Sequence, residues 1–262
     1  MRITDWLDSY EIRARIAPTI IVFSPIAILA ILIWPDLFSS LNLVLGETAL
    51  LIFLMYALSF LIRHYGKKIE PNLWSYWGGA PSTRFLRWQD STFTFMFKEK
   101  VHVLLKNQFK ISLLSKDMEE KNPIDRDKQI AAAFLQVKSY LYRNDPEGLW
   151  KKHNMEYGFN RNLLGSRWIW LIFSIIGTTI FTLLWIKNGE TFLFLGIMLS
   201  SIEVICSIIV GWHFLPSFVK EAADRYAESV WTTFSVITEQ DKHSGDHNVA
   251  RRLQMKKPQV RR

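Results

Sequence analysis

The chain has 262 residues, 49% of them hydrophobic and 14% aromatic, with 11 Trp and a formal charge of +8, proportions foreign to a single soluble domain. One cysteine, Cys206, excludes an intramolecular disulfide framework, and with no second Cys and only 6 His a structural zinc site is not expected. Apolar and charged residues are sorted into separate stretches, which is the pattern of an integral membrane protein.

The first apolar run is Ile16 to Trp34, preceded by Arg13 and Arg15. Its length and the sequence Trp34-Pro35-Asp36 do not fit a small-residue cleavage site, so an uncleaved signal anchor is expected. Pro18 and Pro25 lie inside it, and Pro25 frees a backbone carbonyl and bends the helix. The second run, Thr48 to Ile62, is short for a hydrocarbon core about 30 Å thick and needs its flanks Glu47 and Arg63, which can snorkel.

About 100 residues follow before the next run, enough for a small domain but thin in core, so it is expected to lean on the spans or on a neighbouring subunit. Gly78-Gly79 and Pro81 predict a turn, Ser82 or Thr83 can cap a following helix, and the stretch from Thr83 to about Ser115 is expected to be mostly helical. Phe93, Phe95 and Phe97 alternate like a strand within it. Lys116 to Pro123 is predicted as a loop, Asp125 or Asp127 as the start of a helix through Val137 and Leu141, and Asp145-Pro146-Glu147 as the start of another. The turn with Arg84 and Arg87 can contact an anion, as can Arg161 in Tyr157-Gly158-Phe159-Asn160-Arg161-Asn162, where a lipid head group is the nearest source. Neither matches a P-loop, and a structural turn and a solvated helix end explain the same residues.

The segments Trp77-Gly78-Gly79-Ala80-Pro81-Ser82-Thr83-Arg84-Phe85-Leu86-Arg87 and Glu156-Tyr157-Gly158-Phe159-Asn160-Arg161-Asn162-Leu163-Leu164 resemble an uncharacterised group of bacterial multi-pass membrane proteins found near anti-phage defence genes. The resemblance covers about a tenth of the chain, brings no catalytic motif, and implies a membrane effector or anchor.

The third run is Trp168 to Ile186 and the fourth Thr191 to Leu215. Glu203 stands near the middle of the fourth, where a carboxylate must face protein or water or stay protonated. Gly196, Ser200, Glu203, Ser207 and Gly211 share one helical face by their spacing. Ser174, Gly177 or Thr178, and Thr182 offer a matching stripe on the third run, so the two are expected to pack as a hairpin with hydroxyls bonding across it. Two roles stay open for Glu203: a proton or cation site in a pore or relay, and a neutral acid tying helices or subunits together. Trp34, Trp168, Trp170, Trp185 and Trp212 at the run ends suit an interfacial belt.

Pro216 is predicted to start a further helix with Val219, Ala223, Tyr226, Val230 and Ile237 on one face. Beyond Asp241 the chain is predicted to be a flexible basic tail, with anionic lipid a nearer partner than nucleic acid. No metal is expected at His243 and His247.

Every Lys and Arg among the 32 except Lys187 lies in the N-terminal tail, the middle segment or the C-terminal arm. The positive-inside rule places all three in the cytoplasm. The expected fold is therefore an all-α integral membrane protein of the cell inner membrane with both termini cytoplasmic. It has a tail and hairpin over 1–63 (spans about 16–35 and 47–63), a helical cytoplasmic domain over 64–166 and a second hairpin over 167–215. An amphipathic helix over 216–240 and a tail over 241–262 complete it.

No Ser-His-Asp order, zinc signature, P-loop or paired carboxylates stand out, so neither an enzyme nor a cofactor is expected. Four spans without a visible inverted repeat also argue against a secondary transporter. Two readings remain: an oligomeric, channel-like membrane effector that answers a cytoplasmic signal, and a membrane-anchored scaffold or sensor that recruits a soluble protein. The expected partners are the bilayer, further copies of the chain and a soluble cytoplasmic protein. Direct nucleic-acid binding is not expected.

Overall fold

The computed structural model describes residues 11–34 and 41–255, with side chains over 11–34 and 52–240. All regular structure among them is helical: α1 (Ile12–Ile33), α2 (Leu41–Tyr76), α3 (Pro81–Arg84), α4 (Phe95–Phe109), α5 (Lys116–Lys121), α6 (Pro123–Asn144), α7 (Leu149–Gly165), α8 (Arg167–Asn188), α9 (Thr191–Ile208) and α10 (Leu215–Met255). A π-helical turn, Ile12–Ile16, opens α1, and a second, Ile209–Phe214, joins α9 to α10.

Among the described residues, three helices are long and apolar enough to cross a membrane: α1, α8 and the continuous stretch Thr191–Gln240 that contains α9. The predicted second span, about 47–63, lies within α2, but the side chains of its first residues fall outside the described set. The predicted tail over 241–262 does so as well, and α10 carries its first part, to Met255, as helix. The helix predicted to start at Pro216 is thus continuous with the fourth run. Pro216 cannot give the Trp212 carbonyl its helical N–H, and the widened π turn that ends just before it accommodates the loss.

The chain divides into two compact units, Met1–Tyr76 with Lys152–Ala223, and Trp77–Lys151 with Asp224–Arg262. In the first, α8 and α9 pair as a hairpin and α1 packs against both. Polarity in this bundle is inverted relative to a soluble core. Thr19, Ser174, Ser200 and Ser207 are buried, while Ile172, Leu183, Ile202 and Ile205 are half or more exposed. Small polar residues let the helices approach, and the apolar flanks need an apolar solvent. At Gly196 an added Cβ would come within 2.5 Å of the Phe181 ring, so only glycine admits that crossing.

The second unit has the opposite character, with an apolar centre and charged faces. Ile130, Ala133, Phe134, Val137 and Leu141 of α6 bury the stripe that their spacing predicts, and Val101 and Leu105 of α4 join them. The core predicted to be thin is completed by Val230, Trp231 and Phe234 of α10. Trp231 stands edge-on to Phe134 at 5.5 Å and donates to the Ser82 carbonyl at 3.0 Å, and Phe234 stacks on Phe109 at 5.7 Å.

Local expectations in this unit shift in three places. The stretch 83–115, expected to be mostly helical, is interrupted: α3 ends at Arg84 and α4 starts at Phe95, capped by Thr94, whose Oγ1 accepts from the Phe97 N–H at 3.3 Å. The Phe93 and Phe97 rings lie 4.5 Å apart across that helix start, so their alternation reflects aromatic packing and not a strand. The predicted loop Lys116 to Pro123 is the short α5 followed directly by α6, with Pro123 at its first turn, where the missing N–H is harmless.

A pH dependence arises here. Burial, with a smaller push from the Lys98 ammonium, lowers His102 from 6.5 to about 4. Between those values the unfolded chain binds a proton that the folded unit refuses, so acidification through this window destabilises the unit. Glu119, raised by burial, acts in the opposite sense. The thermal midpoint of the purified protein is expected to fall as pH drops from 6.5 towards 4, and His102→Gln to make that fall shallower. An unchanged slope in the variant would show that His102 contributes nothing to it.

Candidate functional site

In the first unit the apolar run of α9 carries Glu203, and two other helices bring hydrogen-bonding side chains to it. Ser24 of α1 places its Oγ 2.9 Å from Oε1, and Trp170 of α8 donates its indole N–H to Oε2 at 2.8 Å. The carboxyl group is therefore shared by the three helices that are long and apolar enough to cross a membrane. A charged side chain at the centre of such a helix costs about 3 kcal/mol on insertion scales, so two hydrogen-bonding partners aimed at it there are a specific arrangement and not a chance contact.

Proline sets the geometry of α1 around this group. Pro25 removes the N–H that would reach the Ile21 carbonyl, and the Ser24 hydroxyl lies 2.8 Å from that oxygen. Pro18 does the same to the Ala14 carbonyl one turn from the start of the helix, where the Asn162 side-chain amide of α7 donates to it at 2.7 Å. Both freed carbonyls thus find side-chain hydroxyl or amide groups, as buried backbone groups must.

The predicted polar face is assembled around the site, but its hydroxyls mostly bond within their own helices. Ser174 donates to the Trp170 carbonyl at 2.8 Å, Thr178 to the Ser174 carbonyl at 2.9 Å and Ser207 to the Val204 carbonyl at 2.8 Å. Ser200 is fully buried, and its Oγ has no hydrogen-bond partner among the described residues. A Cβ added at Gly177 would lie 3.2 Å from that hydroxyl and 3.8 Å from the Pro25 carbonyl, which marks where α1, α8 and α9 converge.

The bonds that join Glu203 to other helices involve Ser24 and Trp170. Ser24 carries no signal of its own in the sequence, although its position directly before Pro25 is one. Trp170, grouped with the interfacial aromatics, is only 5% exposed and belongs to the site instead. Trp34, Trp168 and Trp185 remain well exposed, and Trp212 lies under the Arg167 guanidinium at 4.6 Å.

A second polar cluster in the same unit contains Arg161, which is 3% exposed. It donates to Glu70 of α2 at 2.6 Å and twice to the Asn162 side-chain oxygen, at 3.2 and 2.9 Å. Tyr157 and Lys67 also donate to Glu70, at 2.9 and 2.8 Å. Burial pushes the Glu70 carboxyl up, but Arg161 and Lys67 outweigh it and hold the group below its usual value. Burial and the Glu70 charge push the Tyr157 phenol up, which keeps it a donor.

Arg84 and Arg87 lie in the second unit, beside the turn that Gly78 and Gly79 form at φ of +77° and +129°. Arg87 grips Asp127 through two nitrogens at 2.9 and 2.8 Å and donates to the Gly78 carbonyl at 2.6 Å. Arg84 donates to the Trp77 carbonyl at 2.8 Å and pairs with Asp90 at 3.3 Å and Asp224 at 3.5 Å. All three arginines read as anion contacts from the sequence therefore face carboxylates of the protein itself. Among the described residues no group of three or more His, Cys, Asp or Glu is placed to hold a metal ion.

No family model, no curated protein and no solved structure matches the chain.

Proposed function

We propose that the protein is a non-enzymatic, channel-like effector of the bacterial inner membrane, working as an oligomer whose cytoplasmic part receives a signal and alters permeability. The single observation that supports this most is the carboxyl group of Glu203, bonded from both α1 and α8. In this reading four spans cross the bilayer, α2 supplying the one at about 47–63. Both termini and the second unit lie in the cytoplasm, as the distribution of Lys and Arg favours. The apolar centre and charged surface of that unit suit an aqueous compartment, and the inverted polarity of the first suits lipid. The resemblance of the segments 77–87 and 156–164 to proteins near anti-phage defence genes makes defence the context of the proposal.

The test is flux through the purified full-length chain in liposomes of mixed anionic and zwitterionic phospholipid under a potassium gradient and imposed voltage. The wild type is expected to pass ions, and Glu203→Gln to change the rate by about tenfold, or 1.4 kcal/mol of barrier. Leakage no greater than that of empty vesicles under every voltage tested overturns the reading.

That outcome would leave the second reading, a membrane-anchored scaffold that docks a soluble protein. One observation favours it: Met96, Ile124 and Leu135 of the second unit are each more than half exposed. Large apolar side chains in an aqueous position mark a docking face when they are contiguous.

A further inference from the structure

We infer that Glu203 is a proton-binding site carried as the neutral acid, its proton donated to Ser24 while Ser24 donates to the Ile21 carbonyl that Pro25 deprives of its helical donor.

The argument is a count of hydrogens. The Ser24 hydroxyl has one hydrogen and two acceptors in range, Ile21 O at 2.8 Å and Glu203 Oε1 at 2.9 Å. If that hydrogen goes to Ile21, the close approach of Oε1 to Oγ requires a hydrogen from the carboxyl group. Trp170 then donates to Oε2, the carbonyl oxygen of the acid, at 2.8 Å. Three donors meet three acceptors, and no net charge stands in an apolar bundle. If Glu203 were ionised, Ser24 would turn to it and the Ile21 oxygen would lose its side-chain donor, leaving a charge balanced by two neutral donors alone.

Proton release consequently moves one hydrogen bond. The proton leaves to water, the Ser24 hydrogen swings from Ile21 to Oε1, and the proline turn of α1 loses the contact that closes it. Among the described residues of α1, α8 and α9, no other charge is placed to do this work. The apolar stretches of α1 and α8 hold no other ionisable side chain, and α9 holds only the Cys206 thiol, which is exposed. The ionisable groups on these helices stand at their ends: Arg13 and Arg15 on α1, Arg167 and Lys187 on α8, and Glu190 and His213 flanking α9. Arg167 donates to the Gly211 carbonyl.

The site is defined by the bundle and holds whether or not the assembly conducts, so its test is separate from flux. Infrared spectra of the full-length protein in lipid nanodiscs at neutral pH are expected to show a protonated-carboxyl C=O stretch that vanishes in Glu203→Gln. In Ser24→Ala the band should persist and move to higher frequency, because the acid has lost its acceptor. Glu203→Gln should melt within a few degrees of the wild type, since its amide can donate to Ser24 and accept from Trp170. A wild-type spectrum identical to that of Glu203→Gln in the acid region overturns the inference, and so does a glutamine variant that fails to fold.

Discussion

Replacing Arg161 with alanine is expected to destabilise the folded protein by about 3–5 kcal/mol, the cost of leaving a buried carboxylate without its partner. Glu70 would keep Tyr157 and Lys67, but Lys67 is half exposed and cannot replace a guanidinium that is itself buried. Asn162 would lose both donors that orient its side-chain oxygen while its amide holds the Ala14 carbonyl. The damage therefore reaches the first proline of α1 through one residue. A denaturant titration of the purified protein in detergent micelles reads the loss. The pair Arg161→Met with Glu70→Gln should cost less than Arg161→Ala alone, because it removes both charges and retains volume.

The same cluster has a pH signature of definite sign. Glu70 titrates lower in the folded state than in the unfolded chain, so its contribution is present at neutral pH and is lost as pH falls through its folded value. Arg161→Ala should weaken that acid dependence. If the variant keeps both the wild-type midpoint and the wild-type acid slope, the ion pair is a surface contact in energy despite its burial.

The apolar runs and their order were legible because helix length and hydropathy dictate them directly, and three of the helices have the length and composition to cross a membrane. The shared face of Ser200, Glu203 and Ser207 was legible too, from spacing alone. What sequence could not supply was the partner of each polar group. Spacing places Arg84, Arg87 and Arg161 at turns and helix ends, where anions often bind, yet Asp127, Asp224 and Glu70 arrive from 40, 140 and 91 residues away. Pairing across such separations is a tertiary fact. The grouping of Trp170 with interfacial aromatics failed for a related reason: an indole at the end of an apolar run serves a belt or a buried acceptor equally well until the acceptor is placed. Proline was legible as the source of a freed carbonyl, but the group that each carbonyl meets was not. Pro18 and Pro25 each name a freed carbonyl four residues back, Ala14 and Ile21, and each of those oxygens lies within hydrogen-bond distance of a functional polar side chain.

Lys98 reads in the sequence as one cation among many in a basic segment, yet its replacement by methionine is expected to cost the second unit about 3 kcal/mol. The side chain is 1% exposed and its ammonium donates to the carbonyls of Arg87, at 2.6 Å, Asp90, and more loosely Trp88, at 3.4 Å. Those oxygens belong to the irregular stretch between α3 and α4, where no helix ladder can satisfy them. Hydrogen bonds to a charged donor contribute about 1.5–3 kcal/mol each, and buried acceptors left unmade cost a similar amount. Burial lowers the lysine, against the pull of Asp90 and Glu119, as expected for a cation held by backbone dipoles more than by counter-charge. Methionine keeps the stem's volume and removes only the donors, so packing loss is not confounded with bond loss. Limited proteolysis should then cut between Arg87 and Thr94 faster than in the wild type, alongside a lower thermal midpoint. Cleavage at the wild-type rate with an unchanged midpoint would mean that the loop is held by Trp88, whose N–H bonds Glu119 at 3.0 Å and whose indole bonds the Leu114 carbonyl at 3.1 Å, without help from the ammonium.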